Sequence, residues 1–308
     1  MINGVINIYK IKGFTSHDVV AKLRGMLGQK KIGHTGTLDP EATGVLPVCL
    51  GSATKLCDFL TEKEKEYIAR IRLGVVTDTQ DMTGRILEEK EVAVTREEAV
   101  AALERFLGDY DQIPPMYSAI KINGKKLYEL ARQGKEVERK ARRVRINAVE
   151  LLAFEPPFLT VRVSCSKGTY IRTLCHDAGQ ALGCGAAMEE LERSRSGSFR
   201  KEDAITLEEL QKRLDAAGDE GIREAVSEFL IPVDELLREY PAVRLQPSAD
   251  CLGENGNPFS RRDCAQEEAD PAEEARYRVY TGEGRFVGIY EYRKKENRYF
   301  PVKMFISK

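Results

Sequence analysis

Residues 33–56 constrain this chain more than any other stretch of its sequence. They read GHTGTLDPEATGVLPVCLGSATKL and place a single acid, Asp39, directly before Pro40. A residue that precedes proline is disfavoured in a helix, so we expect Asp39 on an extended turn. The apolar run at residues 45–50 predicts a buried strand or short buried segment behind it. This would hold a carboxylate on a rigid loop, as scaffolds often present reactive groups, although an aspartate that merely starts a turn has the same local pattern.

Charge is unevenly distributed along the 308 residues, although the formal net charge is only −1. Residues 121–147 carry ten Lys or Arg against three Glu, whereas residues 250–275 carry two Arg against eight Asp or Glu. A local excess of positive charge is what contacts with nucleic-acid phosphates require, and a solvated basic face gives the same pattern. The length favours two domains, or one large domain with an appendage.

Several classes of protein are disfavoured by the sequence. The seven cysteines are odd in number and no two have C-x-x-C spacing, so we expect neither a zinc site nor a disulfide framework. We find no apolar stretch that could span a membrane and no signal peptide, which predicts a cytoplasmic location. Residues 77–84, TDTQDMTG, do not fit a calcium loop, because Gln80 occupies a ligand position and the required glycine is missing.

Apolar periodicity predicts a mixture of strands and helices. We expect strands at residues 66–74, 158–165 and 299–306, and two more around residues 281–284. Helices are predicted over residues 16–28, 95–108, 168–183 and 206–218, with Ser16 capping the first and capping boxes opening the second and the fourth. Pro232 and Pro241 bracket a predicted linker, after which the composition of the chain changes.

The central stretch resembles the motif GHTGxLDPxATGxLP of the bacterial TruB-type tRNA pseudouridine synthases, which modify uridine 55 in the T-loop of tRNA. In that family the acid of this motif is the catalytic aspartate, so the resemblance implies that role for Asp39. Similar family segments are NGVINIYKIKGFTS, with Ile11 where proline is usual, QIPPMYSAIK, SKGTYIRTL and ELERSRSGSF. The resemblance therefore extends over most of the first 200 residues.

The resemblance also implies partners for Asp39. Arg172 would pair with Asp39 and hold it ionised and oriented. Arg172 falls in the first turn of a predicted helix, where the helix dipole favours acids, and this position by itself suggests a partner elsewhere. Asp81 is expected to support the site without being a second catalyst. Lys10 keeps its place in the opening motif and is expected to contact the substrate.

Four further residues are implied to handle the target base. Tyr67 would stack on the flipped base, and His34 would take part in extruding it. Tyr170 and Leu191 would line the pocket. Taken without the resemblance, Tyr67, Tyr170 and Leu191 are equally compatible with positions in the core, and a lone histidine is more often structural than functional.

The resemblance implies an α+β fold, with a mixed, mainly antiparallel sheet flanked by helices in a catalytic domain over residues 1–235. Residues 241–308 resemble a small β PUA-type RNA-binding domain, in which the acidic block would repel RNA. We expect the T-arm of tRNA as the partner and the chain as a monomer, with no metal, cofactor, membrane or obligatory protein partner. Two alternatives stay open: a non-catalytic tRNA-binding or RNA-folding protein with the same fold, and a guide-RNA-dependent synthase that needs partner proteins.

Overall fold

The computed structural model describes residues 1–122, 124–266 and 272–306, and its centre is one large sheet. The strands of this sheet are β1 Gly4–Lys10, β2 Ile32–His34, β3 Thr43–Leu50, β4 Lys65–Leu73, β7 Gly108–Gln112, β10 Arg142–Glu155, β11 Phe158–Cys165, β12 Ala186–Ser196, β13 Phe199–Arg200, β14 Ile205–Thr206 and β15 Leu230–Ile231. Their order is β14-β1-β3-β12-β4-β11-β10-β7, with β2 on β3, β13 on β12 and β15 on β1. Only the β1–β14 and β3–β12 pairs among these described strands are parallel. The predicted mixed, mainly antiparallel sheet is confirmed.

The remaining strands form two hairpins and a second sheet. The hairpins are β5 Val75–Thr77 with β6 Ile86–Glu89, and β8 Lys121–Ile122 with β9 Lys125–Lys126. The second sheet contains β16 Ala242–Arg244, β17 Phe259–Ser260, β18 Arg276–Tyr280, β19 Phe286–Arg293 and β20 Arg298–Met304. Its order is β16-β18-β19-β20-β17, and β18, β19 and β20 correspond to the three strands expected near the C-terminus. Residues 267–271 of the acidic block, residues 307 and 308 of the predicted second domain, and residue 123 lie outside the described residues.

The helices are α1 Ser16–Met26, α2 Cys57–Thr61, α3 Arg96–Glu104, α4 Leu127–Ala131, α5 Ile171–Ala181, α6 Leu207–Ser227 and α7 Asp250–Glu254. Short 3-10 turns occupy Gly51–Leu56, Lys201–Asp203, Glu235–Leu237, Pro247–Ala249 and Arg261–Asp263. The predicted break in α6 is present at Gly218, whose φ of 66° interrupts the helical backbone. No helix in the described part of the chain is both long and apolar enough to cross a membrane.

Three apolar clusters tie these elements together. Residues of α3 and α5 pack with β4, β11 and β12, and residues of α1 and α6 pack with β1 and β3. A third cluster joins β1 and β3 to Ile289 and Phe305 near the C-terminus, and it also contains Val233 and Leu237. The segment between Pro232 and Pro241, which was predicted to be a linker, packs two of its apolar side chains into this shared core.

Two predicted helix boundaries differ from the structure. Thr15, not Ser16, caps α1, because Thr15 and Asp18 together complete a reciprocal capping box. The helix that Thr95 caps was expected to reach Gly108, but α3 ends at Glu104. Gly108 has a φ of +86°, which a helix does not tolerate, and it begins β7 instead. The alternating burial of β4 and β11 and the end of α5 before Gly183 agree with the sequence-based predictions.

Candidate active site

Asp39 lies in the irregular segment between β2 and β3, and both of its neighbours are tied to the start of the chain. The main-chain N–H of Leu38 donates to the hydroxyl of Ser16 at 2.9 Å. The carbonyl of Pro40 accepts from the main-chain N–H of Gly13 at 2.9 Å. Ser16 therefore holds the acid-bearing loop and does not cap its own helix. These contacts give Asp39 a fixed backbone position, as the sequence predicted.

Lys10 lies beneath this loop at the end of β1. Its ammonium donates to the carbonyls of Ile11, Phe14 and Pro40 at 3.1, 2.7 and 3.1 Å, and its side chain is almost wholly buried. Burial lowers the pKa of Lys10 to about 8, while the nearby carboxylates of Asp39 and Glu41 oppose this shift. The structure thus brings Lys10 close to Asp39, as a tie between the opening segment and the loop.

Arg172 meets Asp39 from the first turn of α5. Its Nε lies 3.1 Å from Oδ2 of Asp39, and its Nη2 donates to Oδ1 at 3.4 Å. The same guanidinium donates to Oδ2 of Asp81 at 3.1 Å, and it also bonds to the carbonyls of Thr79 and Tyr117 at 3.3 and 2.8 Å. Asp81 is itself held by the hydroxyls of Thr79 and Thr83. Three segments of the chain therefore converge on one guanidinium.

Burial and charge act on Asp39 in opposite directions. Burial raises the pKa of Asp39 and is the largest influence on it; Arg172 lowers that pKa, Asp81 raises it and Lys10 lowers it. Arg172 thus acts in the direction expected from the sequence, but it does not outweigh burial. The side chain of Asp39 still keeps 40% of its surface open to solvent. A partly desolvated carboxylate with one open side is suited to act on a bound molecule.

Tyr67 lies in β4 with its side chain largely buried, and a buried arginine reaches it from β12. Burial raises the pKa of Tyr67, while the positive charge of Arg193 lowers it. Arg193 is 1% exposed and donates to the carbonyls of Val45 at 2.7 Å and Gly36 at 3.2 Å. One guanidinium therefore bonds to both ends of the loop that carries Asp39 and lies within electrostatic range of Tyr67.

Arg193 was not predicted from the sequence to belong to the site. It is the first of two arginines in the segment ELERSRSGSF, from which only Leu191 was assigned a role. The signal that could have identified Arg193 was its position in a strand at even spacing from Leu191, which directs both side chains to the same side of the sheet. An arginine among buried strand residues needs partners, and here these are main-chain carbonyls.

Tyr170 and Leu191 are also close to the Asp39 loop. Tyr170 precedes α5, and burial raises the pKa of its hydroxyl, which lies within electrostatic range of Asp39. Leu191 belongs to the same buried cluster as Leu38 and Tyr67. The structure thus gathers Lys10, Tyr67, Asp81, Tyr170, Arg172 and Leu191 around Asp39.

His34 occupies a different environment from the one expected. It was assigned to a polar glycine loop, but it ends β2, where it pairs with Val48 of β3. Its ring lies edge-on to His17 of α1, with ring centroids 5.3 Å apart. Burial, together with the charges of His17 and Arg193, lowers the pKa of His34 to about 4. A histidine in this environment is neutral at physiological pH and is not a cationic group.

The described residues contain no group of three or more His, Cys, Asp or Glu side chains that could hold a metal ion. Two cavities of about 620 and 280 Å³ lie along α1 and beside β13, and Asp39 lines neither of them. Asp39 therefore lies outside these two cavities, with 40% of its side chain open to solvent.

Two family models match the chain in succession. The model described as TruB family pseudouridylate synthase (N-terminal domain) matches residues 24–171. The model described as tRNA pseudouridylate synthase B C-terminal domain matches residues 172–238. Together they cover more than half of the chain, including Asp39, Arg172 and Arg193.

Curated relatives and solved structures agree with these models. A tRNA pseudouridine synthase B of Lachnoclostridium phytofermentans is 50% identical over 314 residues, covering 99% of this chain and 100% of the relative. Its counterpart in Bacillus pumilus is 45% identical over 312 residues, covering 99% and 98%. A chain in the structure of an H/ACA RNP bound to a substrate RNA containing 2′-deoxyuridine has a TM-score of 0.73 and 28% identity, covering 99% of this chain and 85% of that one. A chain of a Cbf5-Nop10-Gar1 complex has the same TM-score and 30% identity, covering 98% and 85%.

Proposed function

The chain belongs to the TruB family of tRNA pseudouridine synthases, isomerases that act on tRNA, and we propose that it converts uridine 55 in the T-loop to pseudouridine. The observation that carries this assignment is the ion pair of 3.1 Å between Arg172 and the partly open carboxylate of Asp39. RNA binding alone does not require a carboxylate held in this way, because a carboxylate repels phosphates. The pair therefore supports catalysis over a purely RNA-binding role.

The reaction rearranges one nucleoside. The bond between C1′ and N1 breaks, the uracil turns, and a bond between C1′ and C5 forms. The proton on C5 is lost and N1 takes one up, so the atoms balance without a redox partner. Asp39 is the group that acts at the sugar or at C6 of the base, and it must be ionised to do so. Arg172 favours that ionised form and fixes the direction in which the carboxylate faces.

The side chains around Asp39 would hold the base while it is detached. A uridine inside a folded loop is not accessible, so it has to be flipped out of its stack. Tyr67 would offer an aromatic face to the flipped base, and the charge of Arg193 acts on the hydroxyl of that ring. Tyr170 and Leu191 would close the pocket, and His34, which is neutral, would contact RNA next to it without adding charge.

The basic segment around β8 and β9 would bind the phosphates of the T-arm. Lys121, Lys125, Arg132 and Lys135 are exposed, as contacts with phosphates require. By contrast, Arg143 and Arg145 of β10 form ion pairs with Asp111 and Asp109 of β7 at 3.2 and 3.1 Å. The hairpin and the residues that follow α4 therefore carry the more available positive charge.

The second sheet, from β16 to β20, would act as a PUA-like RNA-binding domain over residues 241–308, beside a catalytic domain over residues 1–235. The family model that matches residues 172–238 ends just before this sheet begins. We further propose that the chain acts as a monomer on tRNA without a guide RNA or an obligatory protein partner. The curated relatives named tRNA pseudouridine synthase B are 50% and 45% identical to this chain, whereas the chain from the Cbf5-Nop10-Gar1 complex is 30% identical.

The test is to incubate the purified chain with an unmodified tRNA transcript and to map pseudouridine by carbodiimide treatment and primer extension. A matched transcript with cytidine at position 55 serves as the control. We expect one new stop, at position 55 of the first transcript only, with no added RNA or protein. Binding without any pseudouridine would favour a non-catalytic RNA-binding protein. Activity that appears only when a guide RNA and partner proteins are added would favour a guide-dependent synthase.

A further inference from the structure

Gln112, the last residue of β7, makes a two-point contact with the main chain just before α5. Its amide nitrogen donates to the carbonyl of Tyr170 at 2.9 Å, and its amide oxygen accepts from the N–H of Tyr170 at 2.7 Å. The side chain is 1% exposed. A buried carboxamide with both ends satisfied by one residue fixes that residue in position and orientation.

Tyr170, which Gln112 contacts, lies at the start of the helix that carries Arg172. Tyr170 is the N-cap of α5, and its own side chain does not cap the helix. Arg172 follows two residues later and reaches Asp39, Asp81 and two main-chain carbonyls. A shift at Tyr170 would therefore move both the Tyr170 ring and the guanidinium that contacts Asp39.

We propose that Gln112 is a positioning residue, which locks the start of α5 to the edge of the large sheet and thereby aligns Arg172 and Tyr170 with Asp39. This inference rests on the proposed function only in taking Asp39 as the catalytic carboxylate. Gln112 acts through Arg172 and Tyr170 and does not itself touch the substrate.

The chain contains a chemically matched control. Gln29 is also buried, and its carboxamide makes the same two-point contact with the main chain of Ile2, at 2.7 Å and 3.0 Å. Ile2 lies before the start of β1, whereas the Asp39 loop is tied to the other end of β1 through Lys10. Gln29 also donates to the carbonyl of Lys31 at 3.4 Å. Gln112→Met and Gln29→Met therefore each remove a two-point contact with one main-chain residue and keep nearly the same side-chain volume, but at different distances from the site.

We would measure the single-turnover rate constant with enzyme in saturating excess over tRNA, so that a reduced folded fraction does not lower it. We expect Gln112→Met to reduce this constant by roughly 10- to 100-fold, which is the size of effect that a displacement of about 1 Å produces at a reacting centre. The dissociation constant for tRNA should stay within about twofold of the wild-type value. Gln29→Met should match the wild type in both quantities while losing a similar amount of thermal stability.

A second readout does not depend on activity. The groups that face Asp39 are Arg172 of α5, Asp81 of the loop after β5, and Lys10 of β1. Because Arg172 lowers the pKa of Asp39, its misalignment should raise the midpoint at which the Asp39 carboxyl carbon titrates in NMR spectra of protein with labelled aspartate. Asp39→Asn identifies that signal. The midpoint should rise in Gln112→Met and stay unchanged in Gln29→Met.

Equal rate constants and equal Asp39 midpoints in the two variants would overturn the proposal. An inactive wild type with a raised midpoint in Gln112→Met alone would instead contradict the proposed function and leave the positioning role supported. If Gln112→Met does not fold, Gln112→Asn takes its place, since it keeps both amide groups but is one methylene too short to reach Tyr170. A Gln112→Asn protein with the rate constant and midpoint of the wild type would also overturn the proposal.

Discussion

Arg172 is buried, whereas its partner Asp39 is open to solvent. The exposed fractions of the two side chains are 5% and 40%, and Nε of the first lies 3.1 Å from Oδ2 of the second. Because Arg172 also bonds to Asp81 and to two main-chain carbonyls, its guanidinium cannot move to follow a displaced carboxylate. The free side of Asp39 is therefore presented in a fixed direction, which is what an attack on one atom of a bound nucleoside requires.

Replacing Arg172 with Met should lower the single-turnover rate constant by about 100-fold or more, the usual cost of removing a fixed electrostatic partner. The pKa of Asp39 should rise, because Arg172 lowers it and burial then acts unopposed by this charge. Since the ionised carboxylate is the active form, the acid limb of the pH–rate profile should move to higher pH. An unchanged acid limb would mean that Arg172 does not act on the ionisation of Asp39.

Replacing Asp81 with Asn should shift the acid limb of the pH–rate profile to lower pH. The negative charge of Asp81 raises the pKa of Asp39, so its loss should lower that pKa and extend activity to lower pH. The amide oxygen can still accept from Arg172, so the rate constant at neutral pH should fall by only about tenfold or less. A shift toward higher pH would show that Asp81 acts mainly by holding Arg172.

His34 should remain neutral well below the usual pKa of histidine. Burial lowers the pKa of His34 from 6.5 to about 4, so the unfolded chain takes up a proton on this residue first as pH falls. The stability that neutral His34 contributes is complete above about pH 6.5 and should be lost progressively between pH 6.5 and 4. The chain has three histidines, which makes assignment by NMR with His34→Gln direct. A titration midpoint near 6.5 for His34 would contradict the prediction that this histidine stays neutral below its usual pKa.

Arg193 should matter for stability as well as for the site. Arg193→Met leaves the carbonyls of Val45 and Gly36 without their buried donor, and we expect a loss of about 2–3 kcal/mol in the free energy of unfolding. Arg145→Met removes an exposed arginine that is paired with Asp109, and it should change the free energy of unfolding by no more than about 0.5 kcal/mol. The free energies of unfolding of both variants can be measured by urea unfolding monitored by circular dichroism. Equal losses of unfolding free energy in the two variants would mean that the buried contacts of Arg193 stabilise the fold no more than a surface ion pair does.

The sequence predicted the elements whose residues show regular periodicity. β4 and β11 alternate between buried and half-buried side chains along their whole length, so a period of two identifies them. The capping box of Thr95 and Glu98 marked the start of α3, but nothing local marked its end at Glu104. The mixed, mainly antiparallel character of the large sheet was expected from the resemblance, whereas its strand order was not predicted, because period alone does not select partners in a sheet.

Contacts between distant parts of the chain could not be predicted from local sequence. Ser16 looks like a helix cap, yet its hydroxyl bonds to Leu38, 22 residues away. Gln112 and Arg193 have only ordinary polar surroundings in the sequence, and their partners lie 58 and more than 140 residues away. Arg172 was the exception, since a cation in the first turn of a helix is out of place unless another group needs it. Its partners Asp39 and Asp81 satisfy that need.

The measurement that tests the central claim most directly is the single-turnover rate constant of Asp39→Asn on an unmodified tRNA transcript, together with its dissociation constant for that transcript. Asparagine keeps the shape of the side chain and removes its charge. We expect the rate constant to fall by at least about 10⁴-fold, as when an essential reacting group is removed, while the dissociation constant stays within about threefold of the wild-type value. An Asp39→Asn protein that forms pseudouridine at more than about one tenth of the wild-type rate would contradict the assignment of Asp39 as the catalytic carboxylate.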